Sequence, residues 1–309
     1  MTTIFDIPGT NAPNPFFEPI NAFLDSTNPT SAPKPDETAG AVVSTITDFS
    51  DPAHALWQLW DAFFTAVVTS PTSNDRLLAL LNSFRTQPPT QPSNVRAGSN
   101  AERQLRSYTE GDGSLHWPKL PRFSAQWRDV HDILEQWRDW DGVRASGEDN
   151  STTASTLSSS GDKHYLHFCT FSAVVLKATK GKGEVHPIRV FYACHDVLER
   201  TGPEDRQPKA HRMSSEEVWA LDVRVAATWV REGGRELWNT DREELSREWA
   251  AALEEKTDLW PREDGLMRER WQLWEERLRT LSVEERFDGE TRKVLAEAAE
   301  VVAGLLAET

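Results

Sequence analysis

The stretch His164-Tyr165-Leu166-His167-Phe168-Cys169-Thr170-Phe171-Ser172-Ala173-Val174-Val175-Leu176-Lys177 is apolar on nearly every side when it is drawn as a helix. A helix of this kind is buried all round, whereas a surface helix carries one apolar stripe. A second broadly apolar stretch, residues 218–231, follows a capping box formed by Ser214 and Glu217. We therefore expect two buried central helices, over residues 163–179 and 214–231, and we expect Gly233-Gly234 to end the second.

Amphipathic helical patterns surround these two stretches in the rest of the chain. They cover residues 52–68, 75–85, 125–141, 187–200, 241–256, 266–281 and 290–307. No alternating strand pattern and no repeat of fixed period is present. The sequence predicts an all-α fold, an irregular multi-helix bundle of about nine or ten helices around the two buried central ones.

Composition changes along the chain predict its domain organisation. Residues 1–50 are rich in proline, serine, threonine and asparagine, which predicts a loosely ordered N-terminal arm. Residues 51–309 form the single predicted α-helical domain. Within it, residues 146–162 contain one large apolar side chain and predict a disordered surface insertion.

Charge and cysteine content narrow the possible classes of function. The formal net charge is −15, so nucleic acid would be repelled and we expect no nucleic-acid partner. The N-terminus does not resemble a signal peptide, and no continuous apolar stretch is long enough to span a membrane. The two cysteines, Cys169 and Cys194, have no metal-ligand spacing. These features predict a soluble, cytoplasmic protein that has no membrane partner.

The thirteen tryptophans are far more than a chain of 309 residues usually contains. An indole has a large apolar body and one N–H donor, so it serves helix packing, ligand cavities and interfaces equally well. Packing between helices is the commoner role. The alternative is a Trp-lined groove for a ligand, whose candidate residues are Trp219, Trp229, Phe191, Trp57 and Trp60.

Asp222 is the most unusual polar residue of the predicted core. It follows Trp219 by three positions and precedes Trp229 by seven, so its carboxylate shares a helix face with both indoles. A buried carboxylate is unfavourable unless it is paired, and Arg189 is a candidate partner. The functional alternative makes Asp222, His195 and Arg189 the candidate catalytic residues, with His195 tuned by burial for acid or base work.

The sequence lacks the familiar motifs of catalysis and cofactor binding. It has no GxGxxG, GxxxxGK[ST], GxSxG, HExxH or DDxxD motif. His164-x-x-His167 has a spacing that allows a shared metal, but further ligands cannot be assigned. We expect no metal and no cofactor.

The arrangement of tryptophan and leucine resembles that of one protein family. The segments that carry the resemblance are Leu56-Trp57-Gln58-Leu59-Trp60-Asp61, Trp117-Pro118-Lys119-Leu120-Pro121, the helix from Phe168 to Leu176, Trp219, and Gly234-Arg235-Glu236-Leu237-Trp238. They resemble the fungal family of uncharacterised helical proteins related to oxopyrrolidine-cluster protein G, some of which lie in secondary-metabolite gene clusters. The resemblance implies a fungal, intracellular, all-helical protein and assigns no reaction or catalytic residue.

Three functional hypotheses follow from these observations. The first is a helical binding or scaffold protein whose Trp-lined groove recognises a protein partner or a hydrophobic small molecule. The second is a cofactor-independent enzyme of secondary metabolism with an acid/base pair in a helical cavity. The third is a helical homodimer in which exposed Trp271 and Trp274 form the interface.

Overall fold

A computed structural model of the chain describes residues 14–25, 33–141, 161–203, 210–263 and 265–308. These residues form helices and loops, with isolated β-bridges and no strand. The prediction of an all-α fold is therefore confirmed. The described parts contain twelve α-helices, more than the predicted nine or ten. One unpredicted helix is Asn100–Leu105, which is only 6 residues long and therefore too short to show a clear apolar stripe.

The chain divides into two compact units, with the boundary between Gln136 and Trp137. The helices up to this point are α1 (Phe17–Leu24), α2 (Pro35–Asp48), α3 (Pro52–Thr69), α4 (Asn74–Arg85), α5 (Asn100–Leu105) and α6 (Phe123–Trp137). Those that follow are α7 (Gly161–Ala178), α8 (Ile188–Val197), α9 (Ser215–Trp238), α10 (Arg242–Leu253), α11 (Arg268–Ser282) and α12 (Gly289–Ala307).

Trp60 on α3 lies at the centre of the first unit. Its side chain is fully buried, and its ring packs edge-on against Phe63, Phe84 and Phe123, with centroid distances of 5.9, 5.7 and 5.0 Å. Its indole Nε1–H donates a hydrogen bond to the carbonyl oxygen of Pro121 over 2.7 Å. The indole thus joins the aromatic core to the turn before α6 and satisfies its own buried donor.

The region expected to be a loosely ordered arm carries helices α1 and α2. Pro35 is in the first turn of α2, and Glu37 accepts a hydrogen bond from the backbone N–H of Lys34, so the helix start is well capped. Val42, Val43 and Ile46 bury one face of α2. The prolines that suggested irregular structure therefore flank or begin a helix here.

Helix α9 contacts α7, α8 and α12 in the second unit. It begins at the predicted capping box, where the Ser214 hydroxyl accepts from the backbone N–H of Glu217. The helix does not end at Gly233-Gly234, as the sequence predicted, but continues to Trp238. A Cβ atom at Gly233 would lie 2.5 Å from Leu176 and 3.1 Å from Val190, so this glycine allows close helix packing rather than chain reversal.

Two sequence predictions concern the ends of the described segments. The predicted disordered insertion at 146–162 lies outside the described residues except for Gly161 and Asp162, which begin α7. Among the helices that the structure describes, none has the length and apolar character needed to cross a membrane.

Candidate functional site

A groove of about 400 Å³ opens on the second unit beside the first half of α9. We call it the Trp219 groove. Its walls come from α9, from the end of α8 with the loop after it, and from single residues of two other loops. The lining residues are Arg138, Asp196, Arg200, Thr201, Gly202, Pro203, Ser215, Val218, Trp219, Asp222 and Asp258.

Four residues of α9 form one wall of the Trp219 groove, namely Ser215, Val218, Trp219 and Asp222. Their spacing of three and four positions places them on one helix face. Trp219 is only 6% exposed, and its buried indole Nε1–H has no hydrogen-bond partner among the described residues. Trp219 and Asp222 thus lie on a shared helix face, as their spacing predicted.

Asp222 is bound by Arg138 through a two-point contact. The guanidinium Nε and Nη2 donate to the two carboxylate oxygens over 2.9 and 3.2 Å. Arg138, rather than the candidate Arg189, is therefore the partner that the structure shows. Because the guanidinium engages both oxygens, Asp222 is better suited to holding a charge than to accepting a proton.

A second charged pair, Arg200 and Asp258, lies on the same groove. The Asp258 carboxylate accepts hydrogen bonds from the backbone N–H and the hydroxyl of Thr201 over 3.0 and 3.1 Å, and Arg200 lies 3.4 Å away. The backbone N–H of Thr201 is the main cause that lowers the pKa of Asp258 from its ordinary value. Asp258 therefore carries a full negative charge at neutral pH.

A buried ion pair holds the loop behind this wall of the groove. Arg270 on α11 donates to Glu199 through Nε and Nη2 over 2.6 and 2.9 Å, and both side chains are inaccessible to solvent. The Trp274 indole donates to the same carboxylate over 2.8 Å. Further support comes from the Leu259 backbone N–H, which donates to the Glu199 carbonyl over 3.1 Å. Glu199 thus fixes the start of the loop that supplies the groove residues from Arg200 onward.

The three candidate catalytic residues lie in different positions relative to the groove. Asp222 lines it. His195 is buried, and its Nδ1 lies 2.8 Å from the Asp196 carboxylate, although sequence position alone did not justify that pairing. The Nε2 of His195 has no hydrogen-bond partner among the described residues. Arg189 is not among the residues that line the groove.

Most of the tryptophans and aromatic residues proposed as ligand-binding or interface residues lie in the cores of the two units and not in a groove. Trp60, Trp229 and Phe191 are buried in the cores of their units, with exposures of 0%, 2% and 0%. Trp271 and Trp274 are also buried, so the prediction that they form an exposed dimer interface is wrong. They occupy the apolar face of α11, where their rings contact each other with centroids 4.8 Å apart.

Trp57 is an exception, since it lines a groove in the first unit.

One set of possible metal ligands among the described residues lies in the first unit: His131, Asp132 and Glu135 bring their ligand atoms within 4.8 Å of one another. The acidic members are exposed or half-buried, and such neighbours are common without an ion. His164 is buried at the start of α7, and its burial lowers the pKa of the imidazole.

Comparison with protein families now places the chain. A family model described as "Protein of unknown function (DUF3632)" matches residues 60–278. The chain belongs to this family. The DUF3632 match includes every residue of the Trp219 groove and both members of the buried Glu199–Arg270 pair. Neither curated proteins nor solved structures gave a match.

Several residues that shape this DUF3632 groove were not among the residues predicted from the sequence. Arg138 follows Leu134 by four positions, and Arg270 precedes Trp274 by four, so both cations continue an apolar helix stripe. A buried arginine needs a hydrogen-bond acceptor, so an arginine in an apolar stripe indicates that a carboxylate or carbonyl oxygen lies nearby in the fold. The pattern does not identify which carboxylate is the acceptor.

Proposed function

We propose that this DUF3632 protein is a binding protein that takes a basic segment of a partner protein in the Trp219 groove. The observation that carries the proposal is the charge of the lining. Asp196, Asp222 and Asp258 face only two cations, Arg138 and Arg200. The surplus carboxylate makes a lysine or arginine side chain the best electrostatic complement.

The availability of the carboxylates supports the same assignment. Asp222 is fully engaged by Arg138, whereas the Asp196 side chain is 63% exposed and Asp258 is 40% exposed. Asp196 and Asp258 are therefore the groups that an incoming cation would meet. The net charge of −15 adds long-range attraction for a basic partner.

The rigidity of the walls also favours binding. Arg138 holds Asp222, Thr201 holds Asp258, and the buried Glu199–Arg270 pair anchors the loop between them. A site whose charged groups are already positioned loses less conformational entropy when a ligand arrives. The polar lining makes a hydrophobic small molecule a poorer fit than a basic segment.

A peptide-binding experiment tests this proposal. Isothermal titration calorimetry on the full chain uses a blocked peptide of alternating lysine and alanine as the probe. Asp196→Asn or Asp258→Asn should each weaken binding about twofold to fivefold, as expected for partly exposed ion pairs. The matched control is Asp129→Asn, which removes an exposed carboxylate from the first unit and should leave the affinity unchanged.

Two outcomes would overturn the proposal. One is an equal loss of affinity in Asp129→Asn, because that result means that the peptide responds only to overall charge. The other is equally tight binding of a matched peptide of alternating glutamate and alanine, because the acidic groove should repel it.

One observation favours an acid–base enzyme as the second candidate function. The Nδ1 of His195 lies 2.8 Å from the Asp196 carboxylate, and its buried Nε2 has no hydrogen bond among the described residues, with the Glu255 carboxylate 4.0 Å away. This arrangement resembles an imidazole prepared for proton transfer. A molecule in the groove would nevertheless meet Asp196 before His195.

We also propose the narrower relationship, origin and location that the sequence suggested. The Trp and Leu pattern supports kinship with the fungal proteins related to oxopyrrolidine-cluster protein G and a place in secondary metabolism. Cys169 and Cys194 are both buried and form no disulfide among the described residues, which fits a cytoplasmic location. Imaging of a fluorescent fusion in a fungal cell tests the location, and signal confined to another compartment would contradict it.

A further inference from the structure

A second groove, of about 430 Å³, opens on the first unit. We call it the Trp57 groove. Asp51, His54 and Trp57 come from the start of α3. Gln104 lies at the end of α5 and Tyr108 in the turn after it, while Arg122 lies in the turn before α6. Its volume falls in the range typical of small-molecule sites, about 300 to 1,000 Å³.

His54 and Trp57 form a wall of two stacked aromatic rings in the Trp57 groove. Their ring centroids lie 5.8 Å apart and their planes differ by only 16°, so the two rings stack. They are three positions apart on α3 and therefore share one helix face. His54 is exposed and Trp57 is half-buried, which leaves ring surface available to a ligand. Stacked aromatic side chains of this kind favour a planar aromatic ring.

Arg122 is the single arginine among the residues that line the Trp57 groove, and no lysine lines it. Its Nε donates to Gln126 over 3.3 Å, and its Nη1 donates to the Tyr108 hydroxyl over 2.7 Å. The guanidinium also lies over the Tyr108 ring, 5.5 Å from the centroid. The Nη2 donors of Arg122 have no partner among the described residues, so a ligand oxygen can accept from them.

The backbone of Arg122 has an unfavourable conformation that surrounding contacts hold in place. Its φ is +70°, in the left-handed region that non-glycine residues rarely adopt, and Leu120 two positions earlier has a φ of +44°. Such conformations are energetically unfavourable and persist only when surrounding contacts enforce them. The hydrogen bond from Trp60 to the Pro121 carbonyl, between these two residues, is one such contact. Strain of this kind concentrates at binding sites.

Asp51 forms no ion pair with Arg122 among the contacts of the described residues. Its carboxylate accepts from the backbone N–H of His54 over 3.1 Å and caps the start of α3. Asp51 keeps its negative charge while it caps the helix, so the lining holds one cation and one anion, and a ligand with a single negative charge fits better than a doubly charged phosphate. A planar carboxylate also matches the planar donor array of a guanidinium.

We propose that the Trp57 groove binds a small aromatic carboxylate, with its ring against the stacked His54–Trp57 pair and its carboxylate on Arg122. The groove lies within the first unit, and Asp51, His54 and Trp57 precede the matched DUF3632 span. The inference is therefore independent of the proposed function of the Trp219 groove.

The test measures binding of 2-naphthoate to the full chain by isothermal titration calorimetry. Arg122→Gln should weaken binding about tenfold or more, because a hydrogen bond to a charged group is lost. The neutral probe 2-naphthamide should bind the wild type and Arg122→Gln with the same low affinity. Arg103→Gln is the matched control, since Arg103 is exposed on α5 and does not line the groove.

A second variant keeps the proposal testable if Arg122→Gln fails to fold. His54→Ala removes one exposed ring of the stacked wall and should weaken both probes by a similar factor. The proposal is overturned if 2-naphthoate binds no more tightly than the amide. It is also overturned if neither folded variant weakens naphthoate binding relative to Arg103→Gln, or if no binding is seen at about 1 mM probe.

Discussion

Replacement of Arg270 by methionine should lower the free energy of unfolding of the second unit by about 3 to 5 kcal/mol. Arg270 is fully buried and donates to Glu199 through two nitrogens, over 2.6 and 2.9 Å. It also donates to the carbonyl oxygens of Leu253 and Gly265 over 2.6 and 3.1 Å. Methionine fills much of the volume but donates no hydrogen bond.

The expected magnitude follows from what Arg270→Met leaves behind. The Glu199 carboxylate keeps the indole N–H of Trp274 at 2.8 Å and the hydroxyl of Thr257 at 3.4 Å, but it loses its only adjacent cation among the described residues. A buried charge without its counterion is the main cost. The two carbonyl oxygens that lose a donor add about 1 kcal/mol or more each, within the same overall range.

Urea denaturation followed by circular dichroism measures this effect, with Arg279→Met as the matched control. Arg279 lies on the same helix but pairs with Glu275 at the surface, where its side chain is 51% exposed. Its replacement should cost less than about 1 kcal/mol. The double variant Glu199→Leu/Arg270→Met should regain much of the stability that Arg270→Met loses, because it no longer buries a lone charge.

Two results would refute this reasoning. If Arg270→Met unfolds within about 1 kcal/mol of the wild type, the pair contributes no more than a surface salt bridge. If the double variant is no more stable than Arg270→Met, the loss arises from packing rather than from the uncompensated carboxylate.

Two further predictions concern α9 and α7. Gly233→Ala should destabilise the second unit by about 1 to 3 kcal/mol, because its Cβ would lie 2.5 Å from Leu176. In Gly234→Ala the added Cβ would have only ordinary contacts, at 3.6 Å or more, so this variant should be as stable as the wild type or more stable by up to about 1 kcal/mol. Equal midpoints of thermal unfolding for the two variants would contradict this. Burial lowers the pKa of His164, so the folded chain binds fewer protons there than the unfolded chain, and stability should fall as the pH drops below about 6.5. His164→Gln should reduce that pH dependence in urea titrations, and an unchanged slope would show that His164 does not cause it.

The local features of the fold could be predicted from the sequence because local rules determine them. The capping box at Ser214, the proline that begins α3 and the apolar stripe of α11 each involve residues within one or two helical turns. Helix α11, expected over 266–281, was found as Arg268–Ser282. Asp222 and Trp219 could be placed on one face for the same reason.

Contacts between distant segments could not be predicted in this way. Arg138 and Asp222 are separated by 84 positions, and no periodicity relates them. The role of Gly233 depends on the approach of Leu176 from another helix, so the glycine pair resembled a helix end. Helix α2 was missed because the prolines around it suggested irregular structure, although Pro35 is compatible with a first turn.

The Glu199–Arg270 pair also has a consequence for synthesis of the chain. The two residues are 71 positions apart, so Glu199 leaves the ribosome well before its counterion exists. At about 5 to 20 residues per second, the carboxylate waits several seconds for Arg270. An unpaired carboxylate is unfavourable in a dry core, so Glu199 favours a hydrated position during that interval. The second unit can close its core only after α11 has emerged.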